Sequence, residues 1–256
     1  QEEGAEWIAE FYQQNRTTIH NKYPKLGLIN KEELKELILF ILQDNVFKFN
    51  NNYYKQKFGT TMGAKFSFKY ANIYMHIWYK KFLHNNTNNI LTNYFRFVDD
   101  MIGSTNHPEQ DIINFLIYIN TLHKSIQFTG SYSQKSVNFL DTTVYITNNN
   151  IHTTLYTKPT DRKQYLHFNS SHPLNTKKSL PYSQLMRLKR IIQEPENLEK
   201  ESNNMCDWFK ARGYPTTVCN QARSKLAPTD RRELLKYKTK DDKDRKFQEF
   251  LKGKPF

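Results

Sequence analysis

The sequence predicts an α+β chain: an antiparallel sheet with helices packed on one face, then a helical region. Three observations predict it. Short runs rich in Tyr, Phe, Val and Ile recur at Tyr94-Phe95-Arg96-Phe97-Val98 and over residues 137–146 and 151–157, and such runs suit a pleated surface. Other segments carry apolar residues every three or four positions, the pattern of one buried helix face. From Lys158 onward the strand-like runs stop and charged helical segments take over. The expected regions are residues 1–157 and 158–256.

Taken in order, residues 2–14 read as an amphipathic helix, with Ala5, Ile8, Phe11 and Tyr12 on one side. Residues 16–29 contain Pro24 and Gly27 and read as irregular. Asn30 suits a helix N-cap, with Glu33 three residues later to complete a capping box. The helix it starts carries Leu34, Leu37, Ile38, Ile41 and Leu42 on one face and ends near Asp44. Val46-Phe47-Lys48-Phe49 and Tyr53-Tyr54-Lys55-Gln56 read as strands joined at Asn50-Asn51-Asn52. Gly59 and Gly63 flank a short hydroxyl-containing loop before a helical pattern over residues 68–83. A glycine loop feeding a helix N-terminus lets backbone approach a phosphate or a base pair. It is not a Walker A loop, because the Gly-Lys-Ser/Thr ending is missing.

The run from Tyr94 leads into Asp99-Asp100. Adjacent carboxylates suit the tip of a tight hairpin. There they can hold Mg²⁺, which takes one or two carboxylates together with phosphate oxygens and water. Two-metal phosphoryl transfer uses such a site. Residues 109–123 read as a helix with Ile112, Ile113, Leu116, Ile117 and Ile119 on its apolar face. Residues 126–129, 137–146 and 151–157 read as strands, with Asn148 to Asn150 as a turn, and Asn85–Asn89 as a loop tip. A basic turn follows at Lys158-Pro159-Thr160-Asp161-Arg162-Lys163. A helix is expected to begin at Pro181, burying Leu185, Leu188, Ile191 and Ile192 and displaying Arg187, Lys189 and Arg190. Residues 196–251 read as mostly helical, broken at Gly213-Tyr214-Pro215.

Composition narrows the function. The 256 residues hold 38 Lys and Arg against 25 Asp and Glu, a net charge of +13, which favours a polyanionic partner. Two cysteines, Cys206 and Cys219, do not make a disulfide scaffold and fit a reducing, intracellular setting. Their separation, with no Cys-x-x-Cys pair, also argues against a zinc site with His167 or His172. No apolar run reaches the roughly 18 residues that span a bilayer. The sequence carries no signal for an oligomeric state.

The motifs occur as an ordered series that resembles the reverse transcriptase of Penelope-like retroelements. Phe58-Gly59-Thr60-Thr61-Met62-Gly63-Ala64-Lys65-Phe66 with Tyr70-Ala71-Asn72 resembles motif B of that family, and Arg96-Phe97-Val98-Asp99-Asp100 resembles its catalytic motif C. Phe139-Leu140-Asp141 and the strand after it resemble the primer-grip region. Further matches run through Thr157-Lys158-Pro159-Thr160-Asp161, Ser171-His172-Pro173, Lys178 to Gln184 and Arg212-Gly213-Tyr214-Pro215. Two departures stand out. Ser67-Phe68-Lys69 replaces the prolines usual before Tyr-Ala-Asn, and the motif A aspartate is expected upstream of Gln1 together with the fingers.

The resemblance implies a right-hand polymerase palm over residues 1–157 and a thumb-like or connector region over residues 158–256. It implies RNA-directed DNA synthesis, with Asp99 and Asp100 as catalytic and metal-binding residues in a two-metal Mg²⁺ site. The third carboxylate would not belong to this chain, so the chain alone is expected to be inactive. Thr61, Met62 and Gly63 would line the floor under the incoming dNTP. Lys158, Arg162, Lys163, Arg187, Lys189 and Arg190 would contact the backbone of an RNA template paired with a DNA primer. Work in the nucleus is expected for a retroelement product. A second reading is a non-catalytic nucleic-acid-binding remnant, since residues 158–190 also read as a helix-turn-helix, a basic turn followed by a basic helix.

Overall fold

Helix α1, Glu2–Lys22, extends well past the expected end near residue 14. Nothing in Arg16 to Lys22 breaks a helix; the first breaker is Pro24, and the basic His20 and Lys22 of the last turn suit the negative end of the helix dipole. The computed structural model describes residues 1–25, 27–83 and 90–236; the expected loop tip Asn85–Asn89 and the tail after residue 236 lie outside the described residues. The chain is α+β and divides into two compact units, Gln1–Gly130 and Ser131–Phe256.

In the first unit, helix α2, Lys31–Gln43, starts with the expected capping box between Asn30 and Glu33. Of its expected apolar face only Ile38 and Leu42 are buried, and Leu34 is half-buried against them; Leu37 and Ile41 are exposed. The core here is Ala5, Ile8, Ile38, Leu42 and Ile77, so α1 and α2 pack with helix α3, Lys65–Trp78. A π-helical turn, Tyr79–Leu83, continues α3. A second cluster joins Trp78 and Leu83 to Phe115 and Ile119 of helix α4, Glu109–Thr121. Phe115 is thus the buried residue of α4 that the isoleucine stripe did not single out, and Ile117 is exposed.

The strands form three small antiparallel sheets. They are β1, Val46–Phe49, with β2, Asn52–Lys55; β3, Asn93–Phe97, with β4, Asp100–Ser104; and β5, Ser136–Phe139, β6, Thr142–Thr147, and β7, Asn150–Leu155. The single sheet expected from the sequence is therefore divided. Residues 126–129 form no strand. The Asn120 side chain replaces a strand partner there. Its Oδ1 accepts from the Phe128 N–H at 2.6 Å and its Nδ2 donates to the Phe128 carbonyl at 2.9 Å. With both backbone groups satisfied, Phe128 packs its ring on Trp78 instead.

In the second unit the three-stranded sheet packs with helix α5, Leu174–Ile191, and helix α6, Pro195–Ala211. Thr153 Oγ1 donates to the Ile191 carbonyl at 2.6 Å, and Asn197 Nδ2 donates to Thr154 Oγ1 at 2.5 Å. Helix α5 begins a full seven residues before Pro181, which is buried inside it rather than at its start. Helix α7, Thr216–Leu226, and the short α8, Arg231–Leu235, complete the unit. Its core is Leu185, Leu188, Ile192, Met205, Phe209, Tyr214, Val218, Cys219, Ala222 and Leu226.

Two predictions follow from the packing of α1. A Cβ on Gly4 would overlap the Tyr70 hydroxyl, and the Tyr70 ring is confined between Phe66 and Tyr74. Gly4→Ala gains about 1 kcal/mol of helix propensity but forces a repacking that costs about 1–3 kcal/mol, so urea unfolding will show a net loss of stability. Lys31 and Lys35 bond the Glu6 carboxylate, each at 2.5 Å, and hold its pKa down at about 2. The folded value lies below the unfolded one, so this support is complete above the ordinary glutamate range and is lost as pH falls through about 2. An NMR titration will find Glu6 still charged at pH 3.5, where exposed glutamates are mostly protonated.

Candidate functional site

The β3–β4 hairpin turns in two residues, Val98 and Asp99, with Phe97 opposite Asp100. Asp99 therefore sits in the turn and Asp100 opens the returning strand, and both are exposed. Val98 has φ +55, a left-handed conformation that a β-branched residue rarely adopts. Arg96 holds it there. Its guanidinium donates to the Val98 carbonyl at 2.6 Å, to Asn72 Oδ1 at 3.3 Å and to the Asn72 carbonyl at 3.4 Å. One side chain thus supports the carboxylate turn and ties it to α3. The two-residue alternation of β3 puts Tyr94 and Arg96 on the inner side, while Phe95 and Phe97 face outward at 65 % and 56 % exposure. Tyr94 completes the inner side by stacking on Tyr79, and burial raises its hydroxyl pKa.

The loop before α3 is built around Gln56. Its Nε2 donates to the Phe58 carbonyl at 2.8 Å and its Oε1 accepts from the Thr61 hydroxyl at 3.0 Å. Thr60 and Ser67 share a hydroxyl hydrogen bond of 2.7 Å. Met62 is fully exposed, at 99 %. Gly63 has φ +91, and a Cβ there would meet nothing within 4 Å. The glycine is thus required by backbone conformation whether or not a ligand approaches.

The carboxylates of Asp99 and Asp100 suit Mg²⁺ in kind, being hard oxygen donors open to water. Among the described residues, no group of three or more His, Cys, Asp or Glu could hold a metal ion. Two ligands are present, and a full site needs more. Arg96 and Asn72 were quoted in the sequence motifs, but their joint role was not read there. The signal that could have shown it was an arginine placed in an otherwise aromatic strand, on the side that faces inward.

In the second unit the six basic residues divide. Lys158 and Arg162 are exposed, as is Arg190, whose guanidinium donates to the Met186 sulfur at 3.9 Å. The other three are engaged within the protein. Lys163 bonds Asp161 at 3.1 Å and Thr157 at 3.0 Å and lies over the Trp208 ring, and it holds the Asp161 carboxyl below its ordinary range. Arg187 grips the Asp141 carboxylate at 2.8 and 2.6 Å. Lys189 donates to the Leu226 and Ala227 carbonyls, closing the C-terminal end of α7.

Helices α6 and α7 are joined by a four-residue turn, Arg212 to Pro215, containing Gly213 at φ +81. Tyr214 is buried at the turn between Phe168 and Phe209. Thr216, Thr217, Asn220, Gln221, Ser224 and Lys225 form the exposed side of α7, which carries no acid. Helices α5 and α6 are likewise joined by a short turn, residues 192–194, so the basic helix α5 leads through one short turn into α6 and through a second into α7. Cys219 faces Cys206 in the core, and burial pushes its thiol pKa up to about 12.

Comparison with known proteins bears on this unit. Residues 164–224 match the family model for the animal helix-turn-helix domain, a span that takes in α5, α6 and nearly all of α7. No curated protein and no solved structure matches the chain. Among the described residues no helix is long and apolar enough to cross a membrane.

The Arg96 clasp is testable. Arg96→Ala removes the charged donor from a strained turn and will cost about 1–3 kcal/mol locally. Hydrogen exchange will speed up across residues 93–104 and leave α5 to α7 unchanged. Unchanged protection in the hairpin would show that Arg96 does not hold it.

Proposed function

We propose that this chain is part of an RNA-directed DNA polymerase of the Penelope-like retroelement kind, working in the nucleus, whose second unit grips a nucleic-acid duplex. One observation carries the reading: the Asp99-Asp100 hairpin is bonded through Arg96 to Asn72, on the helix that the Gly59 to Gly63 loop feeds. The sequence series that resembles motif B is thus physically joined to the series that resembles motif C. A polymerase needs those two parts in fixed register, because one supports the base pair and the other holds the metals.

In this reading Asp99 and Asp100 are two of the carboxylates for the Mg²⁺ pair. When bound, Mg²⁺ supplies activation of the primer hydroxyl and charge neutralisation at the leaving pyrophosphate. Thr61, Met62 and Gly63 line the nucleotide floor, with the Thr61 hydroxyl oriented by Gln56. The β5–β6 hairpin positions the primer end. Of the six basic residues named above, Lys158, Arg162 and Arg190 are exposed to meet phosphate, whereas Lys163, Arg187 and Lys189 have protein partners. Among the described residues no third carboxylate stands with these two, and in this reading the chain alone is inactive.

A second reading is favoured by the family-model match: duplex DNA binding by α5, α6 and α7 without catalysis. The acid-free polar side of α7 and the net charge of +13 support it. The two readings separate on substrate. A polymerase-derived unit binds a recessed RNA–DNA primer–template more tightly than blunt duplex DNA; a plain DNA-binding unit prefers the blunt duplex or shows no difference.

With Mg²⁺ and dNTPs the isolated chain will bind primer–template and extend nothing. Incorporation that Asp99→Ala abolishes would overturn the expected inactivity. Replacing Lys158, Arg162 and Arg190 by Glu together will weaken primer–template binding by tenfold or more at about 100 mM salt and flatten its salt dependence. Asp99→Ala will leave metal-free binding intact.

A further inference from the structure

The β1–β2 hairpin has no partner in its own unit that accounts for its side chains. Every residue of both strands is exposed. Phe47, Phe49, Tyr53 and Tyr54 are 55 %, 65 %, 74 % and 44 % exposed, and Phe58 just beyond is 84 % exposed. A two-stranded hairpin is marginal on its own, and exposed aromatic rings add nothing to its stability. Surface of this kind marks a place where something binds.

Charge says what kind of partner. From Asn45 to Lys65 the chain has Lys48, Lys55, Lys57 and Lys65 and no acidic residue. Aromatic rings interleaved with lysines, and no carboxylate, are the recognition chemistry of single-stranded nucleic acid: bases stack on the rings and phosphates meet the ammonium groups. The register places Phe47, Phe49 and Tyr54 on one face of the ribbon, and Lys48, Tyr53 and Lys55 on the other. Phe47 and Tyr54 stack on each other across the ribbon, 5.5 Å between centroids and 19° from parallel, and both stay exposed on their outer sides. Phe49 follows Phe47 on the same face about 6.8 Å along the strand. That backbone spacing is about twice the 3.4 Å repeat of a nucleic-acid strand, which leaves room for a base against each ring. The paired Asn50-Asn51 turn, at φ +48 and +62, and the Gln56 N–H bond to the Asn45 carbonyl at 2.9 Å close the ribbon at both ends.

We infer that the β1–β2 hairpin is a stacking site for single-stranded nucleic acid, with Phe47, Phe49 and Tyr54 offering ring faces to the bases and Lys48, Lys55 and Lys57 supplying the local positive charge that attracts the phosphates. The site is separate from the duplex contacts of unit two, and its rings are placed independently of Asp99 and Asp100. It requires neither metal nor primer, so its failure leaves the polymerase reading standing, and the converse also holds.

The test uses the full chain and fluorescein-labelled (dT)12 and (rU)12, followed by anisotropy in metal-free buffer. Phe47→Ala with Tyr54→Ala will lower affinity for both oligonucleotides about tenfold or more, while blunt-duplex affinity stays within twofold. Because these side chains are exposed, circular dichroism will show an unchanged fold. Phe47→Trp, which keeps a stacking ring, will restore binding in the Tyr54-containing chain, whereas Phe47→Leu will not. Wild-type affinity in the double Ala variant would overturn the proposal. So would a chain that sediments as a dimer and becomes monomeric in that variant, because the rings would then meet a second copy.

Discussion

Every hairpin among the described residues turns in two residues, and each turn has at least one residue with positive φ. Asn50 and Asn51 meet the demand between β1 and β2, and Asn148 and Asn149 between β6 and β7. Asparagine tolerates this region well. At the other two turns the residue is Val98 or Leu140, each followed by an aspartate. Those are the strained turns, and an arginine sits at each. Arg96 takes the Val98 carbonyl, and Arg187 takes the Asp141 carboxylate. Strain in the backbone is offset by a charge-assisted hydrogen bond from outside the turn.

In the proposed reading this device serves Asp99. A carboxylate that is to hold a cation must be fixed before the cation arrives, or ordering it draws on binding energy. The turn is fixed by the left-handed Val98, and Arg96 fixes it further against α3. Arg187 and Asp141 do the equivalent work in the second unit, but there the aspartate is consumed by its arginine. Two similar turns therefore leave one free carboxylate and one paired one. The difference lies in which atom the arginine reaches, the turn carbonyl in one case and the aspartate itself in the other.

The basic residues show the same division of labour. A net charge of +13 is a property of the whole chain, but a phosphate meets only side chains without protein partners. Lys163 and Lys189 resemble phosphate ligands in the sequence and serve as internal braces in the fold. Lys48, Lys55 and Lys57 stand exposed at the β1–β2 hairpin, where they accompany exposed rings. Charge and aromatic surface together locate nucleic-acid contacts better than charge alone, because desolvated stacking and backbone neutralisation act on different parts of a nucleotide.

Local chemistry was legible in the sequence. The Asn30 to Glu33 capping box, the asparagine turns and the helical break at Gly213 rest on interactions within a few residues, and each is where the local pattern puts it; the aspartate turn falls one residue early, on Val98 and Asp99. Long-range partners were not legible. Residues 126–129 have the composition of a strand, yet Asn120 satisfies the Phe128 backbone and no strand forms. Leu37 and Ile41 lie on the apolar stripe of α2, yet α1 and α3 cover only the part around Ile38 and Leu42. The sequence by itself determined where the hairpins turn and where the capped helix α2 starts, because backbone sterics and caps act locally. Only tertiary structure decided which carboxylate stays free, which lysines stay exposed and how the strands group, because those depend on partners up to 46 residues away, as Arg187 is from Asp141.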